Sequence, residues 1–164
     1  KSNYDLLLRA QYLVELSEKF FSDEANNNPQ LEILIETINQ LSKTDHPDLV
    51  ILVYEFELLK SHGFGLRIFE CLNCSKSLTK SSNYFSYTNG GFYCESCLGE
   101  VHANEELVKF SVEDQVIFRS IERKAYNELL NLDIKDLSIK KLSGTLRKSI
   151  SNVLGVQLKT SRFL

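Results

Sequence analysis

The chain has 164 residues, 43% of them hydrophobic and 25% charged, with two prolines, seven glycines, four cysteines and a formal net charge of −3. That balance suits one globular domain, or a domain with a small insert, able to build a core without disulfide staples. It excludes a membrane-spanning helix, because no run approaches about 18 apolar residues, and residues 1–20 lack the layout of a secretory signal, so a soluble intracellular protein is expected.

The chain opens on Lys1 and contains no methionine, which reads as a fragment or processed piece whose true N-terminus lies upstream. Residues 3–21 read as an amphipathic helix, with Leu6, Ala10, Leu13 and Leu16 on one stripe. A second helix, about 29–43, starts at Pro29 and carries Leu31, Leu34, Ile35, Ile38 and Leu41. A third, about 48–61, is apolar almost all round, which predicts a central position; its β-branched run could instead be a buried strand, but its length and the lack of alternation in Tyr54–Lys60 favour helix, and Gly63 is its expected stop. In 84–94, aromatic residues flank Asn89-Gly90-Gly91, a hairpin signal. Ser111 with Asp114 reads as a capping box opening a helix that carries Phe118, Ile121, Ala125 and Leu129. The last helix, about 139–154, has Leu142, Leu146, Ile150 and Val153 in register and stops at Gly155.

Cys71-x2-Cys74 and Cys94-x2-Cys97, nineteen residues apart, have the spacing of a zinc site. A two-residue gap lets both thiolates of a pair reach one ion, and a hairpin between the pairs brings four sulfurs together. Four thiolates leave no open coordination position, so one Zn²⁺ held this way is structural. Another soft metal, an iron–sulfur cluster or two disulfides are the alternatives. His102 follows closely but is not needed as a ligand, and His46 and His62 read as helix-end or surface residues. Tyr84, Phe85, Tyr87, Phe92 and Tyr93 read as the small core of this module, with base stacking as the other possibility. The expected fold is mainly α: a helical bundle domain, residues 1–67 and 101–164, with a small β-hairpin, four-cysteine zinc finger inserted at 68–100.

Charge is unevenly spread: six Lys/Arg against twelve Asp/Glu in 1–70, and ten against four in 118–164. A basic segment on an acidic body suits nucleic acid or an acidic peptide, or is a solvated face balancing its neighbour. Lys140, Lys141, Arg147 and Lys148 fall off the apolar stripe of the last helix, which predicts that they face solvent, with Arg119, Arg123 and Lys124 on the preceding helix. Catalysis is not expected. Gly63-x-Gly65 lacks the third glycine of a dinucleotide loop, because position 68 is Ile, and neither a Walker A loop nor His-Glu-x-x-His is present.

Several stretches in order carry a family resemblance: Ala10, Tyr12, Leu13 and Glu15; Tyr54-Glu55-Phe56-Glu57-Leu58-Leu59 with Gly63-Phe64; Cys71-Leu72-Asn73-Cys74; Gly90-Gly91-Phe92-Tyr93-Cys94-Glu95-Ser96-Cys97; and Leu158-Lys159-Thr160-Ser161-Arg162-Phe163-Leu164. Over its whole length the chain resembles the C-terminal part of the RecO family of bacterial recombination mediators and DNA-repair proteins. The resemblance implies a cytoplasmic, nucleoid-associated, non-catalytic protein whose upstream OB-fold domain lies outside this chain. It implies binding of single- and double-stranded DNA and strand annealing. It also implies contacts to RecR, loading of RecA, and contacts to the acidic, apolar tail of single-stranded-DNA-binding protein. Candidate contacts for that tail or for DNA are Arg119, Arg123, Lys124, Lys140, Lys141, Arg147, Lys148, Lys159 and Arg162, with the tail favoured because DNA would meet acidic N-terminal helices. An unrelated four-cysteine zinc-ribbon module that binds protein or nucleic acid is the competing reading.

Overall fold

A computed structural model, which describes residues 3–21, 28–123, 126–129 and 134–164, places the most apolar helix of the chain at the centre of a helical layer. This helix, α3 (Pro47–Ser61), carries its proline in the first turn, where an N–H is not needed. It ends at His62 with Gly63 in the left-handed region, at φ +83°. The Gly63 N–H donates to the Lys60 carbonyl at 3.2 Å and the Phe64 N–H to that of Leu59 at 2.8 Å, the two bonds of a Schellman cap. Against α3 pack α1 (Asn3–Phe20), α2 (Asn28–Lys43), α4 (Val112–Arg123) and α6 (Asp136–Leu154). The short α5 (Tyr126–Leu129) precedes α6, and Lys124 and Ala125 lie outside the described residues. At the start of α4 the capping box closes: the Asp114 N–H donates to Ser111 Oγ at 3.1 Å, and the Ser111 N–H to Asp114 Oδ2 at 3.3 Å. Gly155, at φ +67°, stops α6 as expected.

Two apolar stripes are covered on one flank only. In α2, Leu34, Thr37 and Leu41 are buried and Ile38 half-buried, whereas Leu31 (48%) and Ile35 (52%) stay exposed. The expected stripe is wider than the face that α1 and α3 can cover. In α6, Val153 at the far end is likewise exposed, while Leu142, Leu146 and Ile150 are buried.

Between α3 and α4 the chain forms a four-stranded sheet in the order β1-β3-β2-β4. β1 (Arg67–Cys71) runs parallel to β3 (Gly91–Tyr93), and β2 (Asn83–Ser86) pairs antiparallel with both β3 and β4 (Leu107–Phe110). The hairpin forms at the expected place, with the Gly90 N–H donating to the Ser86 carbonyl at 3.1 Å and Gly90 at φ +60°. Gly91 is needed for closeness: a Cβ there would stand 2.8 Å from the Arg67 carbonyl oxygen. Strands β1 and β4 were not among the expected elements.

The aromatic residues of the hairpin do not form a core of their own. Phe85 and Phe92 are fully buried, 5.2 Å apart, and Phe85 lies 5.8 Å from Phe110 and 6.0 Å from Phe118. Phe118 in turn stands 6.0 Å from Phe56 of α3, so these rings continue the helical core. Tyr84, Tyr87 and Tyr93 are half-buried. A buried amide pair ties the sheet to α4: Asn83 Nδ2 donates to Gln115 Oε1 at 2.7 Å, and Gln115 Nε2 to the Ser81 carbonyl at 2.9 Å.

Candidate metal centre

The end of β1 and the turn after β3 bring the two cysteine pairs together. Cys71 closes β1; its N–H donates to the Lys76 carbonyl at 2.9 Å and its carbonyl accepts from Ser75 at 3.0 Å, so the segment folds back on itself. Ser75 takes a left-handed conformation (φ 55°) to make that turn. Cys94 precedes the 3-10 helix Glu95–Glu100, and the Cys97 N–H donates to the Cys94 carbonyl at 3.0 Å. The two loops are tied by Leu72 N–H to the Phe92 carbonyl at 2.8 Å and by Asn73 Nδ2 to Glu100 Oε2 at 2.5 Å.

All four Sγ atoms lie within 4.8 Å of one another, with those of Cys74 and Cys94 at 4.0 Å. A tetrahedral ion with bonds of about 2.3 Å would need sulfurs about 3.8 Å apart, so the four sulfurs fit one metal ion. Cys71 and Cys97 are buried, and the Cys94 N–H donates to Cys71 Sγ at 3.4 Å. Burial acts to raise the Cys71 thiol, but the amides of Cys74, Cys94 and Asn73 outweigh it and lower it to about 6. Cys94 is pushed up to about 12, first by burial and then by its neighbours Cys97 and Cys71. Peptide dipoles thus hold one thiolate, and further negative charge in the cluster calls for a cation. His102 is exposed and not part of the cluster.

The expected basic surface is built differently. Arg147 and Lys141 do not simply face solvent. Arg147 is 19% exposed and donates through Nε to Oε1 of the fully buried Glu55 at 3.0 Å, and Lys141 pairs with Asp114 at 2.6 Å. A residue off one apolar stripe still meets protein when its helix has neighbours on two sides. Arg119 donates through Nε to the Ile68 carbonyl at 3.0 Å, Arg123 lies 4.2 Å over the Phe69 ring, and Lys148 pairs with Glu106 and covers Tyr87 at 4.3 Å. Lys140, Lys159 and Arg162 are exposed, and Lys124 lies outside the described residues.

Sequence reasoning missed the group that organises this region. Glu55 Oε1 accepts from both Arg147 and the Tyr12 hydroxyl (2.6 Å), while its Oε2 is buried without a partner among the described residues. Burial raises the Glu55 carboxyl against the pull of Arg147 and Tyr12. The signal available was Glu55 on the apolar side of the α3 run, where Glu57 two residues on is only half-buried, since a buried acid needs a donor. Beside this pair lies a cleft of about 420 Å³ between α1, α6 and the C-terminal 3-10 turn Thr160–Phe163, bordered by Tyr12, Arg147, Lys148, Ile150, Val156 and Leu158. Glu15 of α1 anchors that turn by accepting from the Lys159 and Thr160 N–H groups, both at 2.9 Å, and from the Thr160 hydroxyl.

A family model described as "Recombination protein O C terminal" matches residues 1–162. The DNA repair protein RecO of Dehalococcoides mccartyi strain CBDB1 is 28% identical, over 100% of this chain and 63% of its own length. Proteins of the same name from Caldicellulosiruptor saccharolyticus (28%; 96% and 57%) and Bacillus mycoides (26%; 94% and 60%) align comparably. The chain therefore spans about three-fifths of the length of these curated relatives, between 57% and 63%.

Proposed function

Because this chain belongs to the family of RecO C-terminal domains, we propose that it is the non-catalytic helical and zinc-finger part of a DNA-repair mediator. With the OB-fold domain expected in the rest of the protein, it takes part in DNA binding, strand annealing and the loading of RecA on single-stranded DNA covered by its binding protein, through contacts to that protein and to RecR. The metal in this reading is Zn²⁺, one per chain, held by Cys71, Cys74, Cys94 and Cys97, and its role is structural because four thiolates leave no position for a substrate. The finger is not the DNA grip. Between residues 71 and 97 the cations are Lys76 and Lys80 against Glu95, too little charge to hold phosphates.

The domain's own task is to capture the acidic, apolar-ended tail of the single-stranded-DNA-binding protein. One observation carries this reading: in the cleft, Arg147 and Lys148 stand beside Tyr12, Ile150, Val156 and Leu158. A peptide that combines carboxylates with an apolar end needs cations next to an apolar wall. The test is titration of the chain with the synthetic tail peptide and, separately, with a single-stranded oligonucleotide at low salt. The peptide is expected to bind, and Lys148→Glu to weaken it at least tenfold while Arg123→Glu does not. The reverse ranking would move the site to α4. Oligonucleotide binding without peptide binding would assign the surface to DNA, and binding of neither would place the function in the rest of the protein.

A further inference from the structure

A second groove, sharing no lining residue with the cleft described above, runs between α2 and α3. It encloses about 500 Å³ and continues through Ile33, Tyr54 and Glu57 into a smaller hollow. On α3 its border is one helical face: Val50, Val53, Tyr54, Glu57, Leu58 and Ser61, spaced i, i+3, i+4, i+7, i+8 and i+11. That face is about 16 Å long, or three turns. On α2 the bank carries Ile33, 48% exposed, between Glu32 and Glu36.

The charge on the banks is of one sign. Glu32 and Glu36 line one side and Glu57 the other, and none of the three has a cationic partner among the described residues. Glu36 accepts only a weak bond from Gln40, at 3.3 Å. Like charges at i and i+4 on a helix repel, so α2 is better accommodated with a cation between them. They sit in the most acidic part of the chain, residues 1–70, which carry twelve Asp/Glu against six Lys/Arg. An apolar floor between carboxylate banks excludes the acidic tail and nucleic acid alike, because both would bring negative charge to negative charge. Both bordering backbones are closed by their own helical hydrogen bonds and offer no strand edge, so an occupant must interdigitate side chains.

We infer that this groove docks an amphipathic helix of a partner protein, with an apolar stripe on one face and Lys or Arg along its flanks. The apolar stripe covers Ile33, Val53 and Tyr54, and the flanking cations meet Glu32, Glu36 and Glu57. This groove acts independently of the tail-binding cleft, so loss of either role leaves the other intact.

The probe is a synthetic helical peptide of about 14 residues, roughly 20 Å of helix, with leucines at i, i+3, i+4 and i+7 and lysines beside them. A second peptide has the same composition with the stripe scrambled. Calorimetry with the whole chain at low salt is expected to show binding of the first at least tenfold tighter than of the second. The pair Glu32→Lys and Glu57→Lys should weaken the first at least tenfold with an unchanged circular dichroism spectrum, since Glu32 is exposed and the half-buried Glu57 lines the open groove. Ile33→Asp, at a half-exposed position, should do the same. No binding at low salt overturns the inference. Equal binding of both peptides also overturns it, because charge alone would then suffice, and so does an affinity unchanged by the glutamate and Ile33 variants.

Discussion

Arg147→Met separates the roles of charge and packing in the buried pair. Methionine keeps most of the arginine stem but removes the guanidinium that Glu55 accepts from at 3.0 Å. The carboxylate would be left with the Tyr12 hydroxyl on Oε1 and, among the described residues, no donor on Oε2. Breaking a buried pair from one side costs about 3–5 kcal/mol. In a chain of this length the lower figure lowers the melting temperature by roughly 6–12 °C. The sign of the pH dependence follows from Glu55. Burial already holds its folded-state pKa above the ordinary carboxylate value, and loss of the cation raises it further. A group of this kind favours the folded state most below its unfolded pKa, and that advantage is lost as pH rises toward the folded value, by about 1.4 kcal/mol per unit. The variant should therefore be most damaged at pH 8 and recover toward pH 5. Adding Glu55→Gln should restore at least half of the loss and flatten the pH profile. Thermal melting by circular dichroism at both pH values reads all three. A melting temperature within about 2 °C of wild type at pH 8, or a loss equal at pH 5 and 8, would refute the reasoning.

Three further outcomes are expected. Protein purified without added zinc should carry about one equivalent of it, and Cys94→Ser should lower both metal content and melting temperature, the latter by more than about 10 °C; full loading with unchanged melting would sink the assignment. Gly91→Ala should cost about 1–3 kcal/mol in a urea titration, because the new methyl meets the Arg67 carbonyl oxygen at 2.8 Å and strand β1 cannot retreat without giving up its pairing. Asp114→Ala should cost about 1 kcal/mol at pH 7. Burial acts to raise that carboxyl, but Lys141 and Ser111 hold it below its ordinary value, so its contribution is present at neutral pH and disappears as pH falls through the folded value.

The parts of the fold marked by local chemistry were legible in the sequence. Gly63 and Gly155 are left-handed stops, Ser111 and Asp114 cap each other, and the two CxxC turns depend on residues within a few positions. Features fixed by distant partners were not. Strand β4 is four residues with no repeat to announce it and exists because β2 offers an edge. Strand β1 is recognisable only beside β3, with which it runs parallel. The pairing of Arg147 with Glu55 spans 92 positions. Periodicity put Arg147 off the stripe of α6, but the arrival of α3 on that flank is a tertiary fact. Likewise, the width of the α2 stripe said that it was apolar, not how much of it α1 and α3 would cover.

The path of the phenylalanines has a consequence for anyone who would trim this protein. Phe92 stands two residues before Cys94, and its ring reaches Phe56 of the central helix through Phe85 and Phe118. A deletion that removed residues 71–97 and joined the ends would leave Phe110 and Phe118 facing a void once filled by two buried rings. Chelation, heat and denaturant should then report one shared transition, and the finger is better altered by replacing its sulfurs than by excising its hairpin.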